Sequence, residues 1–197
     1  MKLVKVVVLS GVPGVGKSTI AEKLAKKLNA DVVHLSKLVI DNKLYIGYDK
    51  IRETYVIDEE KVSAKIKELI NKCRKKYMVI EGHYGELVPK EYIDFFFVLR
   101  LNPLILYERL KERKWPERKI KENVAAEILA VPTANAISVL GESKVCEIDV
   151  TNKGIEEVVN EILDSIREGA CPSKHFIDWT LLLDYKLLDK FLRNPVS

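Results

Sequence analysis

The stretch that decides the fold is GVPGVGKST, which runs from Gly11 to Thr19. It follows the β-branched run KLVKVVVLS at residues 2–10 and opens KSTIAEKLAKKLN at residues 17–29, where the apolar residues have helical spacing. The stretch matches the phosphate-loop pattern G-x-x-x-x-G-K-[ST] and lies between a predicted strand and a predicted helix, which is the context that this motif requires. The sequence therefore predicts a binding site for ATP or GTP here.

The residue types of this loop suit a triphosphate. Gly14 and Gly16 let backbone N–H groups approach phosphate oxygens with no Cβ in the way, and the helix N-terminus adds its dipole. Lys17 is expected to reach the β- and γ-phosphates as a point charge. Ser18 is expected to ligate Mg²⁺, and Thr19 to contact the nucleotide near its α-phosphate.

Short apolar strands and helices alternate outward from the loop. After the first strand, further strands are predicted at 31–35, 77–82, 94–101 and 144–150, and further helices at 58–76, 103–113, 117–130, 132–140 and 153–167. This alternation indicates an α/β fold with a parallel sheet and helices on both faces. We interpret it as a doubly wound P-loop NTPase domain with five strands in the order 2-3-1-4-5.

Composition bounds the remaining possibilities. The 197 residues, 47% hydrophobic and 31% charged, indicate one globular domain, which we place at residues 1–169. The net charge of +4 suits an anionic ligand or an RNA-rich setting. The three cysteines form no CxxC pair, so reduced thiols and a cytoplasmic location are expected. We expect no signal peptide, no membrane span and no DNA partner.

A C-terminal extension at residues 170–197 follows the predicted domain. Its segment FIDWTLLLDYKLLDKFL, residues 176–192, is rich in apolar residues and is predicted to be helical. Such a helix either covers the domain's own surface or forms an exposed docking site. The sequence leaves this choice open.

Three classes of P-loop protein compete: a nucleoside monophosphate (NMP) kinase, a switch GTPase, and an ATPase that drives an assembly step. A GTPase needs the guanine-reading pattern N/T-K-x-D after a strand. The stretch TNKG at residues 151–154 follows a strand but has Gly154 where the aspartate should be. The switch GTPase is therefore disfavoured.

A small kinase also needs an acceptor lobe and an arginine-bearing lid that closes over the phosphates. Residues 34–57 form an insertion of the right size for the lobe. Residues 113–123 are the predicted lid, in a segment that also holds Arg109 and Arg118 beside Arg113. A solvated charged helix is the alternative interpretation of this segment.

The stretch EGHYGE at residues 81–86 begins where the third core strand is predicted to end. P-loop enzymes place an acidic residue there to orient the Mg²⁺ shell through water, and Glu81 has that position. His83 lies two residues further on and, with a pKa near neutrality, can orient or deprotonate an attacking water. A capping or ion-pair role for Glu81 and an ordinary loop role for His83 are the alternatives.

Several short motifs occur together in one order: GVPGVGKST, LYIGYD, VIDEEKV, EGHYGE, FFFVLR, LYERLKER and KIKENVAAEI. With these, the chain up to about residue 150 resembles the archaeal relatives of the coilin-interacting nuclear ATPase, an atypical adenylate kinase tied to maturation of the small ribosomal subunit. The resemblance does not cover the chain beyond about residue 170.

The resemblance implies an adenylate-kinase-like fold and Mg²⁺-dependent phosphate transfer from ATP to AMP or another NMP, together with ATP hydrolysis. It also implies a small-subunit ribosomal protein as partner, transient association with the pre-small ribosomal subunit and a role in rRNA processing. An ATPase assembly factor with vestigial kinase activity is the alternative.

By position, the resemblance gives roles to single residues. It implies that the loop residues hold ATP, that Arg113 is the lid arginine, and that Glu81 and His83 are the strand-end acid and the histidine linked to hydrolysis. Two departures stand out. The eukaryotic relatives usually have aspartate in place of Glu81, and a Gly-Tyr pair in place of Lys114 and Trp115.

Overall fold

The computed structural model describes residues 4–50, 54–173 and 175–193. In chain order the elements are β1 (Lys5–Ser10), α1 (Lys17–Leu28), β2 (Asp31–His34), α2 (Leu35–Asp41), β3 (Tyr45–Asp49), β4 (Thr54–Ile57), α3 (Glu59–Lys72), β5 (Tyr77–Glu81), β6 (Ile93–Arg100), α4 (Pro103–Glu112), α5 (Glu117–Ile128), α6 (Val131–Leu140), β7 (Val145–Asp149), α7 (Ile155–Glu168) and α8 (Tyr185–Leu192).

Five parallel strands form the central sheet in the order β2-β5-β1-β6-β7. Counting only these strands along the chain, the order is 2-3-1-4-5, so the predicted fold class is confirmed. The carboxyl ends of β1, β5 and β2 lie side by side, with Leu9 opposite Glu81 and Glu81 opposite His34. Ligands of such sheets bind at this edge.

The two faces of the sheet are covered separately. Side chains alternate across a strand, so Val7 and Leu9 of β1 pack into one apolar cluster and Val6 and Val8 into the other. Helices α1, α4, α5, α7 and α8 contribute to the first cluster, and α2, α3 and α6 to the second. The buried, β-branched β1 is therefore the centre of a three-layer domain.

The insertion between β2 and α3 consists of α2 and an antiparallel pair, β3 and β4. Its residues 51–53 lie outside the described part of the chain, as do residues 2 and 3 of the predicted first strand. Asp58 ends the insertion and caps α3, since its side chain accepts a hydrogen bond from the Lys61 N–H at 3.1 Å. Helix α3 thus begins at the acidic residue that the sequence indicates.

The C-terminal extension is not one helix over residues 176–192, so that prediction is wrong. A 3₁₀ turn covers Trp179–Leu181, and α8 begins only at Tyr185. Asp178 is the N-cap of the turn and Asp184 is the N-cap of α8. Trp179 is 3% exposed and Phe191 is fully buried, whereas Leu181 and Tyr185 are exposed. The extension therefore covers the domain's own surface and leaves some apolar side chains in solvent.

The expectation that all the thiols are reduced is also wrong. Cys146 of β7 and Cys171, just beyond α7, form a disulfide with their Cα atoms 5.2 Å apart. The fold brings together two cysteines separated by 25 positions in the sequence, which spacing alone does not reveal. The argument from reduced thiols to a cytoplasmic location therefore loses its basis, and Cys73 is the free cysteine.

We expect Cys171→Ser to lower the free energy of unfolding by about 3 kcal/mol, because the disulfide restricts the unfolded chain. Thermal unfolding without reductant then shows a melting temperature lower by roughly 10 °C. Cys73→Ser, which also removes one thiol but no bridge, is the matched control. Equal melting temperatures for wild type and Cys171→Ser without reductant would contradict the bridge.

In the described part of the chain, no single helix is long and apolar enough to cross a membrane. Helices α5 and α6 pass that test of length and composition only when taken together, with a bend of 52° between them.

Candidate nucleotide site

The phosphate loop is held close to the end of β6 by its glycines. Gly11 has φ 135°, and a Cβ on it would lie 2.6 Å from the carbonyl oxygen of Leu99. Gly14 has φ 98°, and a Cβ there would lie within 3 Å of the side chains of Leu106 and Leu110 in α4. Side chains at these positions would strain the backbone and collide with neighbours, so the loop path requires glycine.

Lys17 is the first residue of α1 and is 8% exposed. Its Nζ donates hydrogen bonds to the carbonyl oxygens of Gly11 and Val12, both at 2.9 Å. Burial lowers the pKa of Lys17 to about 8, the negative charges of Glu81 and Glu127 oppose this, and the positive charge of Arg113 adds to it. The ammonium is thus held beneath the loop in an environment that favours an anionic partner.

Ser18 and Glu81 meet directly at the carboxyl end of the sheet. The Ser18 hydroxyl donates to Oε1 of Glu81 at 3.0 Å, and the Glu81 side chain is nearly buried. A hydroxyl and a carboxylate are both hard oxygen donors, which Mg²⁺ prefers, and this ion commonly keeps several of its waters. The pair therefore fits a partly hydrated Mg²⁺ carried by a nucleotide. Within the described residues, no cluster of three or more His, Cys, Asp or Glu side chains forms a separate metal site.

His34 belongs to the same network and has no assigned role in the sequence prediction. It ends β2 in register with Glu81; its Nδ1 lies 2.8 Å from Glu81 Oε1, and its Nε2 lies 2.8 Å from Glu22 Oε1. Burial disfavours the charged imidazole, but the hydrogen bonds to Glu81 and Glu22 outweigh it and raise the pKa of His34. His34 thus braces the carboxylate that faces Ser18.

His83 lies in the cleft between the phosphate loop and the insertion, with its ring 3.9 Å from that of Tyr84. Its side chain is exposed, but the protein around the cleft still desolvates the ring. This desolvation, followed by the positive charges of Lys17 and Lys119, lowers the pKa of His83 to about 4. The pKa of His83 therefore lies below the value near neutrality that the sequence predicts. The imidazole is neutral at pH 7 and can accept a hydrogen bond on one ring nitrogen.

A pocket lies beside His83, between the insertion and the core. Its cavity volume is about 110 Å³, below the usual range for preformed small-ligand sites. Its wall is mostly apolar and includes two tyrosines. The lining residues are Leu35, Ser36, Val39, Ile40, Thr54, Tyr55, Ile57, Val62, His83, Tyr84 and Leu87.

Arg113 caps the C-terminus of α4 and is exposed. Its guanidinium is near enough to depress the pKa of Lys17. The next residue, Lys114, has φ 58°, in the left-handed region that favours glycine. A glycine at this position would not carry the backbone strain that Lys114 does. Lys119 Nζ lies 5.0 Å from the centre of the Trp115 ring, at the turn between α4 and α5.

The structure thus brings the predicted site residues together at one edge of the sheet. Lys17, Ser18 and Glu81 are joined by hydrogen bonds or charge, and His83 and Arg113 each interact electrostatically with Lys17. Thr19 is exposed beside Ser18 at the start of α1. His34 is the residue that the prediction missed, although two adjacent strands, DVVH and VIE, ending in a histidine and a glutamate would have indicated it.

The fold and this site define a P-loop protein with a kinase fold. A gluconokinase from Sinorhizobium meliloti has a TM-score of 0.54 at 19% identity, over 86% of this chain and 94% of its own. A shikimate kinase from Bacteroides thetaiotaomicron has a TM-score of 0.57 at 15% identity, over 83% of this chain and 98% of its own. At these identities the likeness concerns the fold alone.

Relatives found by sequence show to which family of P-loop proteins this chain belongs. The family model described as "AAA domain" matches residues 7–130. Proteins named "Putative adenylate kinase" match at 38% identity in Saccharolobus islandicus, over 96% of this chain and 97% of the relative, and at 37% in Methanocaldococcus jannaschii, over 93% and 98%. One from Sulfurisphaera tokodaii is 45% identical over 81% of each chain. The chain belongs to this archaeal family.

Proposed function

We propose that this protein is an NMP kinase that transfers the γ-phosphate of ATP to AMP or another NMP. The observation that carries the proposal is the apolar pocket with Tyr55, Tyr84 and His83 in its wall, because His83 also interacts electrostatically with Lys17 of the phosphate loop. Aromatic and aliphatic walls of this kind suit a nucleobase. Residues 34–57 are accordingly the acceptor lobe and residues 113–123 the lid, in a catalytic domain spanning residues 1–169. The relatives named as putative adenylate kinases support this activity.

In this proposal an oxygen of the acceptor phosphate attacks the γ-phosphorus, a new P–O bond forms, and the bond to the β-phosphate oxygen breaks to leave ADP. Lys17 exchanges the carbonyls of Gly11 and Val12 for phosphate oxygens. Arg113 neutralises charge on the phosphoryl group in transit. Ser18 and Glu81 would hold the Mg²⁺ that accompanies ATP, and that ion would lower the charge of the triphosphate. His34 keeps the Glu81 carboxylate oriented.

A steady-state assay of ADP formation, with and without AMP, tests the proposal. We expect saturating AMP to raise ADP formation well above the rate with ATP alone, and two ADP to form for each AMP consumed. A rate that AMP does not change would instead favour the ATPase assembly factor with vestigial kinase activity. Other NMPs in place of AMP then give the acceptor preference.

We also propose that the protein hydrolyses ATP when no acceptor is bound, with His83 orienting the attacking water. A neutral imidazole at the cleft accepts a hydrogen bond from water, and the negative charge of bound ATP raises its basicity. The acceptor phosphate, in contrast, is already an oxyanion at neutral pH and needs no base. His83 therefore serves hydrolysis more than phosphoryl transfer.

We expect His83→Ala to lower AMP-independent ATP hydrolysis by roughly 10²-fold, the usual size of such assistance, and AMP phosphorylation only mildly. Both rates are measured on the same purified variant. His175→Ala, which removes an exposed histidine of the C-terminal extension, is the control. An unchanged hydrolysis rate in His83→Ala would reduce His83 to an ordinary loop residue.

We also propose a cytoplasmic location and a role in maturation of the small ribosomal subunit. The resemblance of the motifs supports the second of these. Co-sedimentation of the purified protein with pre-small subunits, with and without ATP, tests the second. Release on ATP addition is the expected result, and the absence of any co-sedimentation would contradict it.

A further inference from the structure

The C-terminal strap, which we define as residues 171–173 and 175–193, is anchored to a buried polar cluster that the proposed mechanism does not use. The cluster centres on Arg100, the fully buried last residue of β6. Its guanidinium donates to Glu127 Oε1 at 2.8 Å, to the Glu127 carbonyl oxygen at 2.9 Å and to a carboxylate oxygen of Glu147. Two carboxylates thus share one guanidinium beneath the sheet edge.

The strap supplies further hydrogen-bond partners for this cluster. Trp179 Nε1 donates to Glu127 Oε1 at 2.8 Å. At Ile177, the N–H donates to Glu147 Oε2 at 2.6 Å and the carbonyl oxygen accepts from Arg100 at 3.2 Å. A buried carboxylate is costly unless donors satisfy it, so the position of the strap and the position of Glu127 depend on each other.

Helix α4, which precedes the proposed lid, and α5, which forms most of it, both pack against this strap. Glu127 lies in the last turn of α5, which also packs against α8. On the other side, the fully buried Phe191 lies 5.4 Å, between ring centroids, from Tyr107 of α4, and Lys190 lies 4.4 Å from the centre of the same ring. Arg113 caps α4 and lies between the two supported helices.

The cluster also reaches the phosphate loop. The charge of Glu127 is close enough to raise the pKa of Lys17 against the effect of burial, and Glu127 Oε1 accepts from the backbone N–H of Leu101 at 3.1 Å. Leu99, two residues earlier, is the backbone neighbour of Gly11. One side chain therefore links the strap, the lid helix and the end of β6 that supports the loop.

We propose that Trp179 and Phe191 of the C-terminal strap are positioning residues, which hold α4 and α5 so that Arg113 faces the transferring phosphate. The proposal rests on the proposed function, in which Arg113 acts on the transition state. Because a displaced arginine weakens transition-state contacts more than ground-state binding, the strap should affect kcat with little effect on KM.

The test uses Trp179→Phe, which keeps an aromatic ring but removes the N–H that Glu127 accepts. We expect kcat for AMP phosphorylation to fall about tenfold, with the KM values for ATP and AMP within about twofold of wild type. Leu181→Ala, two positions away and 82% exposed, is the matched control and should behave as wild type. An unchanged kcat in Trp179→Phe, or a loss found mainly in KM, would overturn the proposal.

A double-mutant cycle with Arg113→Ala separates positioning from general loss of structure. If Trp179 acts through Arg113, Trp179→Phe should lower kcat no further once Arg113 is alanine. If the double variant instead loses kcat by the product of the two single losses, the proposal is overturned. Should Trp179→Phe fail to fold, Phe191→Leu takes its place in the same cycle and is judged by the same two outcomes.

Hydrogen exchange keeps this proposal distinct from the kinase assignment. If the wild type forms no ADP from ATP and AMP, the proposed function fails, and the strap is then judged by exchange alone. Trp179→Phe should speed amide exchange in α4 and α5 at least about tenfold while leaving α3 unchanged. If the exchange rates of α4 and α5 stay as in wild type, or change by the same factor as those of α3, the positioning role is overturned whatever the activity.

Discussion

Replacing Lys17 with alanine is expected to abolish ADP formation from ATP, both with and without AMP, while the protein stays folded. Lys17 is a buried ammonium whose two hydrogen bonds go to carbonyls of its own loop. No carboxylate of the described residues forms an ion pair with it, so its charge is available to phosphate oxygens. A preorganised charge of this kind contributes roughly 3–4 kcal/mol to transition-state stabilisation, or at least about 10²-fold in rate.

The same residue should weaken the fold at neutral pH. The pKa of Lys17 is about 8 in the folded protein and ~10.4 in an unfolded chain, so the unfolded state binds more protons between these values. Stability therefore rises as the pH increases from 8 to about 10, and the full penalty, about 3 kcal/mol, is present below pH 8. Lys17→Met, which keeps an apolar side chain of similar length, should remove this penalty.

Urea unfolding at pH 7 and pH 10, together with the activity assay, checks both effects. We expect Lys17→Met to be more stable than wild type at pH 7, and the difference to shrink at pH 10. Lys27→Ala removes a lysine from the exposed face of the same helix and should keep full activity. Near-normal turnover in Lys17→Ala would refute the assignment of the phosphate loop.

The sequence predicts the part of this molecule that depends on local patterns. The phosphate loop has a fixed spacing, the buried strands are short β-branched runs, and Asp58 caps α3 as its position indicates. Parallel strands separated by helices leave few topologies open. The strand order of the sheet can therefore be predicted, and this order places Ser18 beside Glu81.

The parts that sequence did not predict depend on contacts between distant segments. His34 and Glu81 are 47 residues apart and become neighbours only through strand register. The disulfide depends on where the chain returns after α7. The C-terminal extension has the apolar content of one helix. However, Trp179 packs into a buried polar cluster, and Asp178 and Asp184 each cap a separate helical segment, so the extension forms a 3₁₀ turn and a shorter helix.

Replacing Arg113 with alanine is expected to lower kcat/KM for phosphoryl transfer by about 10²–10³-fold, the usual cost of removing one donor aimed at transition-state charge. ADP binding should weaken far less. Arg113 is exposed at the end of α4, so in the free enzyme it contributes little to a fixed nucleotide pocket. In the proposed mechanism, Arg113 acts when the lid closes and the phosphoryl group carries charge between donor and acceptor.

Paired measurements separate these two roles: steady-state kinetics with ATP and AMP, and calorimetric titration with ADP. Arg167→Ala is the matched control, because Arg167 forms a surface ion pair with Asp164 on α7, on a helix that contributes no residue to the site. Comparable losses in ADP affinity and in kcat/KM would make Arg113 a residue of uniform binding. In that case the strap would hold a binding surface, and catalysis would depend on Lys17 and on the Ser18–Glu81 pair.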